Sequence, residues 1–138
     1  MAIQGAIPMQ HGDVFPLGCF MVGEVQAKRD FERSTREQAI QEVDRESGMP
    51  MWTVEVVDAD PEAREKTVTV NIVAPVQPVP PETAEGVPFR PVEFEDLTVR
   101  PYVRSTMTGR GRLAWSLRAT GMRAPATVNR QRAKAGAE

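Results

Sequence analysis

The chain has 138 residues, of which 41% are hydrophobic and 26% charged, a size and make-up suited to one domain with a buried core. No stretch reaches the roughly 18 uninterrupted apolar residues of a membrane helix, and residues 1–12 lack the basic start and apolar middle of a secretory signal, so a cytoplasmic location and no membrane partner are expected. One histidine and one cysteine cannot supply a zinc ligand set or an internal disulfide, and no glycine-rich loop matches a phosphate-binding fingerprint.

The net charge of −2 conceals a segregation. Residues 1–99 carry 8 Lys/Arg against 18 Asp/Glu, whereas residues 100–138 carry 9 Lys/Arg against the single carboxylate Glu138. Such asymmetry points to a polyanionic partner for the basic end.

In chain order, "CFMVGEV" (19–25) is a short apolar run that predicts a first strand, with Cys19 as a small core residue. The charged stretch 28–47 follows. Within it Ser34 and Glu37 have the spacing of a capping box, but only Ala39, Ile40 and Val43 would line an apolar side, so a short helix and a mobile, disordered loop both fit. A second strand then places Trp52, Val54 and Val56 on one face and Thr53 and Glu55 on the other. After the turn "DADPE", a third strand, "KTVTVNIVA" (66–74), points Val68, Val70 and Ile72 inward, and it should form a hairpin with the second.

Six prolines between 75 and 91 favour an extended connector over helix or ladder, and the same run could serve an aromatic groove as a ligand. A fourth strand, "DLTVRPYVR" (96–104), alternates Leu97, Val99 and Val103 against Thr98, Arg100, Tyr102 and Arg104. The fifth, "RLAWSLRA" (112–119), sets Leu113, Trp115, Leu117 and Ala119 against Arg112, Ser116 and Arg118. The expectation is a mainly β fold: a small five-stranded antiparallel barrel, OB-like, over residues 1–122, with a flexible basic tail over 123–138.

Chemistry is sparse. A Cys19–His11 nucleophile pair is formally available, yet Cys19 heads an apolar strand and His11 sits in an N-terminal segment expected to be loose. The carboxylates Asp58, Asp60 and Glu62 lack the glycine and the distal glutamate of a calcium loop, and Asp-Pro is ordinary turn chemistry. No catalytic activity, metal or cofactor is therefore expected.

The basic face is the remaining signal. If the fourth and fifth strands pair, Arg100, Tyr102, Arg104, Arg112 and Arg118 share one surface, with Leu97, Val99, Leu113, Trp115 and Leu117 packed beneath. Arg110 and Arg123 would add reach, as would Arg130, Arg132 and Lys134 from the tail. Guanidinium groups bind phosphate through two hydrogen bonds and a tyrosine ring offers a base a platform, so these seven residues, Arg100 to Arg123, are the candidate nucleic-acid contacts. Arginines on an exposed strand also serve as solvated, edge-protecting charge or pair with the protein's own carboxylates, and that reading stays open here. No helix-turn-helix pattern is present, so major-groove reading lacks support.

Five blocks in order, "DVFPLGCFMVGEV" (13–25), "DRESGMPMWTVEVVDADPEAR" (44–64), "VQPVPPE" (76–82), "PFRPVEFEDLTVRPYV" (88–103) and "GRLAWSLRATGMRAP" (111–125), resemble the Pra-type plasmid replication, integration and excision activators of actinomycete integrative elements. The resemblance implies a non-enzymatic accessory protein that switches an integrated element toward excision and replication. It would do so by raising expression of the replication and excision genes or by helping the initiator at the origin. It points to DNA as a partner, single-stranded DNA being favoured from the basic face, and it carries no binding residues with it; the other expectation is a protein-interaction module that recruits a replication initiator, a recombinase or the transcription machinery through the acidic body or the proline-rich connector.

Overall fold

Alternation of branched apolar residues with Thr, Arg and Ser gives this chain its long strands, and tertiary pairing sets where each strand stops. The computed structural model describes residues 5–82, 89–105 and 109–125. Its elements are β1 (Ile7–Pro8), α1 (His11–Val14), β2 (Cys19–Ala27), β3 (Met51–Asp58), β4 (Thr67–Val73), β5 (Arg90–Glu95), β6 (Thr98–Arg104), β7 (Arg112–Ala119) and β8 (Gly121–Arg123). The fold is mainly β, as expected, but the sheet holds eight strands and not five, in the order β1-β6-β7-β4-β3-β2-β5-β8, curled into a half-barrel.

β2, β3 and β4 form an antiparallel meander, and the expected hairpin is present as β3–β4, in register from Met51↔Val73 to Val57↔Thr67. Its inward residues Val54, Val56, Val70 and Ile72 are fully buried. β2 slips register between Val22 and Gln26, where Gly23 adopts φ +74°, a value open to glycine at little cost; the bulge lets Val25 reach the core.

Besides the two-residue β1, two strands lie where none was expected. β5 starts at the end of the proline-rich stretch and runs on to Glu95, with Pro91 accommodated opposite Phe20 of β2. β8 continues β7 beyond Thr120, so Arg123, expected to open the tail, instead ends a strand paired with β5. Residues 126–138, with Arg130, Arg132 and Lys134, lie outside the described residues.

These extra strands complete one long hairpin. Pairing runs without a slip from Glu93↔Arg123 through Glu95↔Gly121 and Thr98↔Arg118 to Arg104↔Arg112. Midway it turns a corner: Asp96 takes φ +50°, the Thr120 hydroxyl donates to Asp96 Oδ2 at 2.7 Å, and Thr120 N donates to Glu95 O. Aspartate tolerates the left-handed region better than bulkier residues, which suits it to this position. Gly121 leaves room for the Glu95 carboxylate, which a Cβ there would meet at 3.1 Å.

At the corner both strands change which parity faces inward. Val92 and Phe94 are buried before it, then Leu97 and Val99 after it. One half of the hairpin thereby packs on β2 and the other on β4, where β7 pairs in parallel from Val70↔Leu117 to Ile72↔Ala119.

The core is one cluster that includes Cys19, whose Sγ donates to Val92 O and whose thiol is pushed up to about 12, first by burial and then by Asp58. Such a thiol is inert at neutral pH, as expected for a packing residue. His11, expected in a loose segment, instead sits in α1 with its ring 5.2 Å from that of Phe15 and 5.9 Å from that of Phe94. Its Nδ1 accepts the Phe94 N–H at 3.1 Å.

Burial lowers the His11 pKa below the ordinary 6.5, partly offset by Glu93. The unfolded chain therefore holds the proton more readily; this contribution to stability is complete above the ordinary value and is lost as pH falls through the lowered folded value. With no other histidine in the chain, Tm measured between about pH 7 and pH 5 should fall in the wild type and fall less in His11→Asn, which keeps an acceptor near Nδ1. Equal declines in both proteins would assign the slope to other groups.

Candidate nucleic-acid interface

The parallel contact between β4 and β7 lasts only three residue pairs. Toward Thr67 and Arg112 the two strands part, and the β6–β7 hairpin extends past the body of the sheet. The result is a fork. It encloses a cleft of about 600 Å³ with the outward Thr67, Thr69 and Asn71 on the β4 side and Arg100, Tyr102 and Arg104 on the hairpin side. Asn71 Nδ2 donates to Leu117 O at 3.3 Å beside the last strand pairs.

Cross-strand register places Arg100 opposite Ser116, Tyr102 opposite Ala114, Arg104 opposite Arg112 and Thr98 opposite Arg118, so five of the seven expected contacts share one sheet face. Arg104 Nη2 donates to the Tyr102 hydroxyl at 3.2 Å, coupling cation and ring. Arg110 is exposed in the turn before β7. Arg123 is not part of this group: it lies on β8, where its Nε is 3.4 Å from Glu93 Oε2, in a separate cleft with His11.

Three of the arginines meet carboxylates. Besides Arg123, Arg104 lies 3.7 Å from Glu65 and Arg118 lies 2.9 Å from Asp44. Among the described residues, Arg100 and Arg112 have no carboxylate within ion-pair distance. Both open readings of the basic face thus find a place: part of it is paired internally, and part is available.

The expected burial of Leu113 and Trp115 beneath the arginines is corrected. Leu97, Val99 and Leu117 are buried, but Leu113 is 62% and Trp115 53% exposed, because β6 and β7 outrun β4 there and no described strand underlies the tip. Trp115 and Val68, both on core-facing parity, supply the apolar part of the fork instead.

The segment 28–50 is a loop, so the helix alternative fails. Its main chain is tied by short-range bonds, Glu42 N to Lys28 O and Asp30 N to Ile40 O. The Ser34 hydroxyl accepts from Ile40 N and donates to Ile40 O, so it caps no helix and does not pair with Glu37 as the spacing suggested. This loop forms a second cleft of about 600 Å³ against β2, β3 and β4, and shares Thr69 and Asn71 with the fork. The two clefts therefore adjoin at Thr69 and Asn71.

Sequence reasoning missed this loop wall. Phe31 is 83% exposed, with the Arg29 guanidinium 5.8 Å from its ring centroid, within cation–π range. A lone aromatic among basic residues, "KRDFER", was the available signal. Across both clefts Lys28, Arg29, Arg45, Arg100 and Arg104 face Asp30, Glu32, Glu42 and Glu65. Positive and negative charge nearly balance, so any hold on a polyanion must lean on exposed rings as well.

At the Asp58 turn, Asp58 Oδ1 accepts Asp60 N and Asp60 Oδ1 accepts Glu62 N, the local bonding that ordinary turns use. Comparison with protein-family models, curated proteins and solved structures finds no match to this chain.

The Asp44–Arg118 pair joins loop to β7, and Asp44 also accepts the Ser47 hydroxyl at 2.7 Å. That hydroxyl first, then Arg118, hold its carboxyl below the usual carboxylate range against the opposing effect of burial. Asp44→Ala should speed hydrogen exchange of the 40–50 amides by about fivefold while leaving β3 and β4 protected. Unchanged loop exchange would show that main-chain bonds alone hold it.

Proposed function

We propose that this protein is a non-enzymatic DNA-associated accessory factor, of the kind the Pra-type resemblance implies, that activates replication and excision of an integrative plasmid and binds single-stranded DNA along these clefts. The observation that carries the reading is the placement of three exposed rings beside arginines in two adjoining clefts: Tyr102 and Trp115 with Arg100 and Arg104 in the fork, and Phe31 with Arg29 in the cleft next to it. Single-strand binders combine a cationic path for the backbone with aromatic platforms for bases.

Read as OB-like, the strand pairing supports the same proposal. If β5–β6 and β7–β8 each count as one bent strand, the sheet reduces to five paths that follow one another around a circuit from β2 to β3, β4, β7–β8, β5–β6 and back to β2. In that architecture the second and third strands, with the loops joining first to second and fourth to fifth, carry oligonucleotides. Here those are β3, β4, the 28–50 loop and the turn between β6 and β7.

A second reading, a protein-interaction module that recruits a replication initiator, a recombinase or the transcription machinery without touching DNA, draws on a different observation. Val103 and Leu113 face each other across the hairpin tip on the side away from the arginines, and both are largely uncovered. Apolar pairs of this kind favour a protein surface over a phosphate backbone.

Fluorescence anisotropy with labelled single-stranded and duplex oligonucleotides over a salt series separates the two. Direct binding predicts affinity that falls with salt, and Arg100→Gln with Arg112→Gln should flatten the log–log slope by about 1.4, or about 0.7 per lost phosphate contact on a single strand. An unchanged slope would remove these arginines from the interface, and no binding to either oligonucleotide at low salt would favour the second reading.

A further inference from the structure

Resting on the single-strand reading above, we infer that the fork between β4 and β7 is a nucleobase subsite, in which Trp115 stacks on one unpaired base while Arg100 and Arg104 hold an adjoining phosphate. Trp115 projects from the same side of β7 as Leu117, yet Leu117 is 5% and Trp115 53% exposed. A large ring left half in water on an otherwise ordered strand is a surface with affinity to spare for a flat apolar partner.

The partner is specified by what surrounds the ring. Val68 adds a second apolar wall, while Thr67, Thr69 and Ser116 bring hydroxyls able to donate or accept at base edges. The cleft, at about 600 Å³, lies within the usual range for small-molecule sites and is ample for one nucleotide. A base held in a duplex stack cannot enter a gap between two strands; an unpaired one can.

The phosphate position follows from Arg104. Its guanidinium is aimed by the Tyr102 hydroxyl at 3.2 Å, while its contact with Glu65 is long at 3.7 Å and exposed on both partners. Exposed pairs of this geometry are weak, so an incoming phosphate can take the place of the Glu65 carboxylate. Glu65 then acts as a competitor that the nucleic acid displaces.

The test is anisotropy of a labelled oligothymidylate of about 12 nucleotides, a length within single-strand site sizes, against a duplex of equal length, with tryptophan fluorescence read in parallel. Trp115→Ala should weaken oligothymidylate binding by about tenfold, the worth of one base–aromatic stack, and Trp115→Phe should restore most of it. Glu65→Gln should tighten binding by about threefold, as expected for loss of one weak competing charge. Oligothymidylate should quench wild-type tryptophan emission and lose that effect in Trp115→Phe, a readout that stands even if the alanine variant folds poorly. Binding without quenching, and with Trp115→Ala unaffected, would overturn the subsite and leave the single-strand reading in place. Failure of wild-type protein to bind either oligonucleotide would overturn both.

Discussion

The corner at Asp96 and Thr120 is the constraint on which the rest of the molecule depends. It converts one hairpin into two walls by exchanging the inward parity of both strands at once, so that Phe94 and Met122 meet the core on one side and Leu97 and Ala119 on the other. A straight hairpin would bury one wall and leave the second apolar row in water. The bend needs a residue that tolerates a positive φ and a hydroxyl to hold it; Asp96 and Thr120 supply these, and Gly121 leaves room for Glu95 beside them.

The cleft between β4 and the hairpin is placed by the same device. Because the corner commits the inner half of the hairpin to the core, its outer half, Pro101 to Arg104 against Arg112 to Trp115, stands clear of β4 and opens the fork. Strand length beyond what the core needs is thus what exposes Trp115, spaces Arg100 from Arg112 and gives the 28–50 loop a cleft to border. The internal ion pairs at Glu65 and Asp44 then set which arginines are engaged and which face solvent. The Arg104–Glu65 pair is long and exposed on both sides, which keeps it weak, whereas Asp44 is largely covered and holds Arg118 at 2.9 Å.

Much of the meander was legible in the sequence. "TVTVNIV" and "MWTVEVV" alternate cleanly because one face is buried along their whole length, so period-two reading found β3, β4 and their pairing. The shared face of Arg100, Arg104, Arg112 and Arg118 was legible for the same reason. β5 escaped notice since its phase reverses at Asp96 and prolines flank it, and β1 and β8 are too short to show any period. Phe31 and Arg29 lacked a periodic setting altogether, lying in a loop shaped by local main-chain bonds.

By itself the sequence determined the β class, the charge segregation, the absence of a zinc ligand set and the side of each strand on which its arginines lie. These follow from composition and from a backbone that sends successive side chains to opposite faces. Only the tertiary structure decided which core-parity residues are covered, which arginines meet carboxylates and where a cleft opens. Leu113 and Trp115 carry the same local pattern as Leu117, and nothing within their own strand records that the neighbouring strand ends its contact first.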